Sequence, residues 1–343
     1  MHMLSRTFQQ NLRRIVCLAL ASSLLACTTS SMAPVPLVKQ ELKVIIFPGG
    51  FNWPIWAGQE QGFFVQQGLE VKTINTPNST FQLTGLIKGD FDIAMTALDN
   101  IIAYREGQGA PGADGSDLVA VMGADNGFLR LTSTGDVKSV AELKGRQLSV
   151  DSLTTGYAFV LLEIMARNGM QINRDYTTVS AGGVLQRFND LVQKKHAATM
   201  LIAPFDVMAR AQGANVLVDA SQALGNYQGL VAGVRRQWAS HNPRAVTAYI
   251  KAYQQSLQWL YNPANKPAAL ALFMKNVPNS SLQAAETSYA ILLDANSGFE
   301  KTARINLEGA KTVVALREKY GQPAKKLQAV DAYYEGRYFE AAR

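Results

Sequence analysis

Four turns in this chain set hydroxyls, amides and small residues where a strand gives way to a helix. They are Asn78-Ser79-Thr80, Thr96 with Asp99, Ser152 with Thr154-Thr155-Gly156, and Ser180-Ala181-Gly182-Gly183. Small residues there expose backbone N–H groups, hydroxyls add donors, and a helix N-terminus favours negative charge, so the chemistry is anion binding. Each turn alone is equally an N-cap. The ligand reading gains weight because several such turns should fall on one edge. It nominates Ser79, Thr80, Thr96, Thr154, Thr155, Gly156 and Gly183 as ligand-binding residues. Two further candidates have other chemistry. Trp53, in Trp53-Pro54-Ile55-Trp56, offers a flat wall to a planar or apolar group, or else packs in the core. Asp206, two residues after Pro204, pairs with a ligand cation or caps its own helix.

Motifs for catalysis are missing. No Walker A, HExxH, GxSxG or CxxC sequence occurs, and Gly107-Gln108-Gly109-Ala110-Pro111-Gly112 matches GxGxxG only by accident, because it follows a helix and contains Pro. Of the three histidines, His2 lies in the N-terminal leader, His196 follows Lys194 and Lys195 at a helix end, and His241 precedes a helix cap. None suggests a triad. Asp and Glu show no ligand-spaced cluster. The expectation is therefore no enzyme, no cofactor and no metal.

The elements that would position these turns alternate. Strand patterns at 42–47, 69–74 and 91–95 are separated by helical stretches at 53–66 and from Asn78–Thr80 to Lys88. A helix at about 97–106 and a glycine-rich loop at 107–115 lead to strands at 117–123 and 128–132. A second run has strands at 147–150, 176–180, 197–202 and 215–218, with helices at 156–167, 184–193 and 204–211. From residue 230 the pattern is mostly helical. Asn242-Pro243 opens a helix whose stripe is Val246, Tyr249, Ile250, Tyr253, Leu257 and Leu260, a core face. Alternation of this kind predicts an α/β fold, parallel sheets with helices on both faces, in two lobes that meet across a cleft. Ligands in such sheets bind outside the carboxyl ends of the strands.

The N-terminus reads as a leader. Arg6, Arg13 and Arg14 precede an apolar run at 15–26 that is too short to span a bilayer. Leu24-Leu25-Ala26-Cys27 resembles a bacterial lipobox, in which Cys27 is lipidated, although Leu25 is unusual for that motif. Thr28-Thr29-Ser30-Ser31 follows as a tether. The predicted organisation is a signal peptide at 1–26 and a linker at 27–40. The first lobe occupies 41–134, the second 135–228, and 229–343 is the return to the first lobe plus C-terminal helices. Cys17 and Cys27 are the only two cysteines, so the folded body holds no disulfide and no Cys metal site. Three of the 33 basic residues leave with the leader and no acid does, which turns the formal +7 into +4. That is too mild and too evenly spread for nucleic acid.

Longer stretches carry a family resemblance. These are Trp53-Pro54-Ile55-Trp56-Ala57-Gly58-Gln59-Glu60-Gln61-Gly62-Phe63-Phe64, Gly68-Leu69-Glu70-Val71, and Gly85-Leu86-Ile87-Lys88-Gly89-Asp90-Phe91-Asp92-Ile93-Ala94. Val137-Lys138-Ser139-Val140-Ala141-Glu142-Leu143-Lys144-Gly145-Arg146 and Asn242-Pro243-Arg244-Ala245-Val246 follow in order. The chain resembles the substrate-binding proteins of ABC importers in the nitrate/sulfonate/taurine and thiamine-precursor (NMT1/THI5-like) group, over roughly residues 42–300. The resemblance implies a type II periplasmic-binding-protein fold, with crossovers near 133–136 and 227–230, that closes on a small ligand, and the nominated turn residues predict that this ligand bears an oxyanion. It implies a monomer that delivers this ligand to permease and ATPase subunits, located in the periplasm or cell envelope and tethered through Cys27. Lys194-Lys195-His196-Ala197-Ala198 departs from the family's Gly-x-Asp/Val-Asp-Ala pattern. The enzymatic pyrimidine-synthase branch needs a cysteine-rich motif that this body lacks. A ligand-sensing subunit for a signalling partner, or an enzyme on the same fold, are the rival readings.

Overall fold

The computed structural model describes residues 39–343. The leader, Cys27 and the start of the linker lie outside the described residues. Among the described residues, ten strands form two five-stranded sheets. The first contains β1 (Gln40–Ile46), β2 (Leu69–Asn75), β3 (Ile93–Ala97), β4 (Leu118–Gly123) and β10 (Leu230–Arg235). The second contains β5 (Arg130–Ser133), β6 (Gln147–Val150), β7 (Thr177–Ser180), β8 (Ala198–Leu201) and β9 (Asn215–Asp219). Their orders are β2-β1-β3-β10-β4 and β7-β6-β8-β5-β9, the same pattern twice. Each sheet, with its helices, forms one lobe.

The sheets are mixed, which corrects the expectation of parallel sheets. β1 pairs in parallel with β2 and β3, and β6 with β7 and β8. β10 runs antiparallel to β3 and β4, and β5 antiparallel to β8 and β9. The cause is connectivity. The parallel strands point their carboxyl ends at the cleft, whereas β5 and β10 enter from the opposite lobe and must run away from it. β10 lies where the sequence pattern predicts mostly helix, because its apolar run Leu-Val-Ala-Gly-Val is too short to separate strand from helix by period.

The first passage between sheets lies at 124–129, since β5 already belongs to the second sheet; this is earlier than the expected boundary at 134/135. The second passage follows β9. Asp125 ties the two together: its Oδ2 accepts from the Leu230 N–H at 2.6 Å and its Oδ1 from the Gly127 N–H at 2.7 Å. Gln228 Nε2 also donates to the Asp125 carbonyl at 3.1 Å.

Helices α1 (Ser79–Lys88), α2 (Leu98–Arg105), α3 (Gly156–Arg167) and α4 (Val184–Val192) all begin at the carboxyl end of a strand. Asn78 caps α1 through its side chain, which accepts from the Phe81 N–H at 2.8 Å. The expected helix at 53–66 is two, Trp53–Glu60 and Phe63–Gln66, broken at Gly62 with φ 72°, a left-handed conformation that glycine adopts without steric cost. Helix α5 (Pro243–Tyr261) buries its whole stripe, from Val246 to Leu260, beside the first sheet's helices. Tyr249 stacks on Phe64 at 5.4 Å between ring centroids. Burial of each large apolar side chain there contributes about 1.5–3 kcal/mol. Helix α6 (Leu307–Tyr320) returns along α2 and reaches the second lobe at α3.

Candidate ligand site between the lobes

A cavity of about 50 Å³ lies where the two lobes face each other. Phe47 and Phe51 reach it from beyond β1, Asn100 from α2, and Phe128 from the first passage between sheets. The second lobe supplies Asp151 just past β6, Thr155, Gly156 and Tyr157 at the start of α3, and Arg187 from α4. Every one of these positions follows from strand direction, because the parallel strands of both sheets end at this edge.

Most of the wall is apolar or aromatic, so its few polar atoms set the orientation of anything inside. Arg187 is 3% exposed. Its Nη1 donates to the Gly182 carbonyl and its Nη2 to the Met200 carbonyl, both at 3.2 Å, while Nε has no hydrogen-bond partner among the described residues. Burial pushes the guanidinium below its ordinary pKa and the nearby Asp151 carboxylate opposes that push. Asp151 divides its two oxygens: Oδ2 accepts from Ser79 Oγ at 2.6 Å, and the buried Oδ1 has no partner among the described residues. Burial raises the Tyr157 phenol well above its usual range, keeping it neutral.

The lobes are closed around this cavity. Besides Ser79 to Asp151, the Gly183 N–H donates to the Pro77 carbonyl at 3.1 Å. Arg317 of α6 is fully buried; it holds Asp99 of α2 through two 2.6 Å bonds and also donates to the Thr154 carbonyl at 2.6 Å. Lys319 and Tyr320 reach Glu163 of α3 at 2.6 and 2.8 Å. Gly156 has no room for a side chain: a Cβ there would lie 2.4 Å from the Cβ of Asp99 in the other lobe.

The nine residues nominated from sequence separate into groups. Thr155 and Gly156 line the cavity. Ser79, Thr154 and Gly183 contribute instead to the contact between lobes, so their donors and acceptors meet protein. Thr96 is buried behind the wall, accepting from Asn100 Nδ2 at 2.9 Å. Thr80 is exposed on α1. The aromatic wall expected at Trp53 is corrected: Trp53 is fully buried, packed on Phe273 at 4.5 Å and Tyr289 at 5.7 Å between ring centroids. The ring surface of the cavity comes from Phe47, Phe51, Phe128 and Tyr157. Asp206 is also placed away from the cavity, buried beside Arg130 with 3.6 Å between Oδ2 and Nη1. Burial raises its pKa.

Arg187 and Asp151 were missed. The signal for Arg187 was present: Val184, Arg187, Phe188 and Leu191 share one helical face, and a cation in a buried stripe needs a reason.

The NMT1/THI5-like family model matches residues 52–266. The chain belongs to that family. Among solved structures, the NMT1/THI5-like chain is similar to the periplasmic nitrate-binding protein NrtA from Synechocystis PCC 6803, at 15% identity and a TM-score of 0.73, covering 89% of this chain and 88% of that one. It is also similar to the alkanesulfonate-binding protein SsuA from Xanthomonas axonopodis pv. citri, bound to MOPS, at 15% identity and a TM-score of 0.69, covering 85% and 97%. A ligand-binding component of an ABC-type import system from Staphylococcus aureus gives 11% identity and a TM-score of 0.72, covering 89% and 99%. At such identities the likeness is one of fold, the periplasmic-binding-protein fold. Curated proteins give no match to the chain.

Proposed function

We propose that this NMT1/THI5-like protein is the extracytoplasmic solute-binding component of an ABC importer, which captures a small oxyanion-bearing ligand between its lobes and delivers it to a permease. The observation that carries the reading is Arg187, a buried cation on the wall of a closed inter-lobe cavity, whose Nε has no hydrogen-bond partner among the described residues. A buried guanidinium without a full set of acceptors is costly, and an oxyanion in the cavity supplies the missing one. Solved proteins of the same fold named as nitrate-binding, alkanesulfonate-binding and ABC import components support the class.

Thr155 and Gly156 contact the ligand at the α3 terminus, and Ser79, Thr154, Thr96 and Gly183 act behind or around it by shaping the closed state. The lobe built on the first sheet and the lobe built on the second, which begins at β5, are the moving bodies. The closed cavity is small, so the lobes part to admit the ligand and close again on it, and the shift is bounded by the ligand's differential affinity for the two states. The protein works as a non-enzymatic monomer in the periplasm or cell envelope, held to the membrane by lipid on Cys27, beside its permease and ATPase.

A thermal-shift panel of small carboxylates, sulfonates and nitrate tests this. A ligand at 100 times its Kd stabilises the folded chain by about 2.7 kcal/mol, a shift of several degrees. Arg187→Met abolishes the shift. Uptake of the same compound falls when the gene is deleted; chemical turnover of it by the purified protein contradicts the reading.

A further inference from the structure

The cavity carries a second unpaired charge, opposite in sign to Arg187. Asp151 Oδ1 is buried and has no hydrogen-bond partner among the described residues, while its sister oxygen is fixed by Ser79 across the lobes. Arg187 Nε is likewise unpartnered, and none of the ion pairs formed by the described residues joins the two side chains. Two opposite charges on one mostly apolar wall, each with one unused site, define a recognition pattern. An anion alone would satisfy Arg187 and sit beside the Asp151 carboxylate, which repels it. A cation alone would meet the reverse problem. A molecule with both groups satisfies both atoms, and the rings of Phe47, Phe51 and Phe128 cover the apolar part between them.

We infer that the ligand is a small zwitterion, with an ammonium or amidinium group on Asp151 Oδ1 and a carboxylate or sulfonate on Arg187 Nε. This rests on the solute-binding reading above and narrows its ligand class. It also gives Asp151 a coupling role. The residue whose Oδ1 takes the ligand's cation is the one whose Oδ2 holds Ser79, so occupancy and lobe contact share one carboxylate.

The experiment is a thermal-shift titration with matched pairs: 3-aminopropane-1-sulfonate and propane-1-sulfonate, 4-aminobutanoate and butanoate, 4-(aminomethyl)benzoate and 4-methylbenzoate. It is paired with native mass spectrometry of protein produced in its own host. In at least one pair the amino compound binds ten-fold or more tightly than its partner. Asp151→Asn, which keeps an acceptor for Ser79, abolishes that preference, whereas Ser79→Ala weakens both members of the pair by the same factor. Equal binding within every pair that binds, or a preference that survives Asp151→Asn, overturns the zwitterion and leaves the solute-binding function standing. If no pair binds, the co-purified molecule decides: one bearing both charges supports the inference and one lacking a cationic group overturns it. Silence in both measurements overturns the solute-binding reading along with it.

Discussion

Ser79 Oγ of the first lobe donates a 2.6 Å hydrogen bond to Oδ2 of Asp151, a residue of the second lobe that lines the inter-lobe cavity. Both residues lie beyond the carboxyl end of a strand, Ser79 at the start of α1 after β2 and Asp151 directly after β6, so the contact joins the two edges that face each other. A short bond to a carboxylate in a half-buried site contributes about 1.5–3 kcal/mol, enough to bias a two-state equilibrium by one or two orders of magnitude. The cleft is thus closed by groups that a ligand-binding edge would otherwise turn to the ligand.

Gly156→Ala should hold the lobes apart. The new Cβ meets Asp99 Cβ at 2.4 Å, a backbone-fixed clash that only lobe separation relieves. Ligand affinity falls at least ten-fold while the far-ultraviolet circular dichroism spectrum is unchanged, and small-angle scattering with ligand present gives a larger radius of gyration than the parent.

Trp53→Ala should act on stability and leave ligand preference alone. Removing a fully buried indole packed on Phe273 and Tyr289 costs about 3–5 kcal/mol. Denaturant unfolding reads the loss. A changed ligand preference at saturating ligand would return Trp53 to the binding wall.

Arg317→Met should be more costly than its solvent-free packing suggests. It leaves Asp99 as a buried carboxylate without its partner and frees the Thr154 carbonyl. Breaking one side of a buried pair costs about 3–5 kcal/mol. The double variant Arg317→Met with Asp99→Leu should recover part of that loss in the same urea titration.

The pH dependence of stability should carry a signature of the crossing between lobes. Burial raises the Asp125 carboxyl to about 7, against the N–H groups of Leu230 and Gly127, which favour its ionised form. Its folded-state pKa is therefore above the unfolded value of 3.8. The stability it contributes is complete below about pH 4 and is lost as pH rises through about 7. At about 1.4 kcal/mol per unit, the change is on the order of 4 kcal/mol. Glu163 has the opposite sign. Burial pushes it up, but the bonds from Lys319, Arg167 and Tyr320 prevail and hold it at about 2. Its contribution is present above about pH 4.5 and is lost as pH falls toward 2. Melting temperatures from pH 4 to 7 should therefore decline more steeply in the parent than in Asp125→Asn.

Most of the strands from β1 to β9 were legible because short apolar runs are bounded by Gly, Pro or a cap and most alternate with amphipathic helices. β10 was not, since a five-residue apolar run has no readable period and its place between β3 and β4 depends on the chain coming back across the lobes. The site was legible as an edge more than as residues. Thr155 and Gly156, which line the cavity, were nominated through the turn chemistry that places a helix N-terminus there. Ser79, Thr154 and Gly183 were nominated by the same rule, yet their polar groups are used by the facing lobe, a long-range contact no local rule sees. Arg187 and Asp151 lie on a helix face and just past a strand end, where sequence marks only polarity and burial decides the role.

The account depends most directly on Arg187 holding a molecule between the lobes. Native mass spectrometry of the protein made in its own host should show a bound small molecule in the parent chain and none in Arg187→Met that folds to the same circular dichroism spectrum. A parent that is bare, or a variant that keeps the same molecule at the same occupancy, would contradict it.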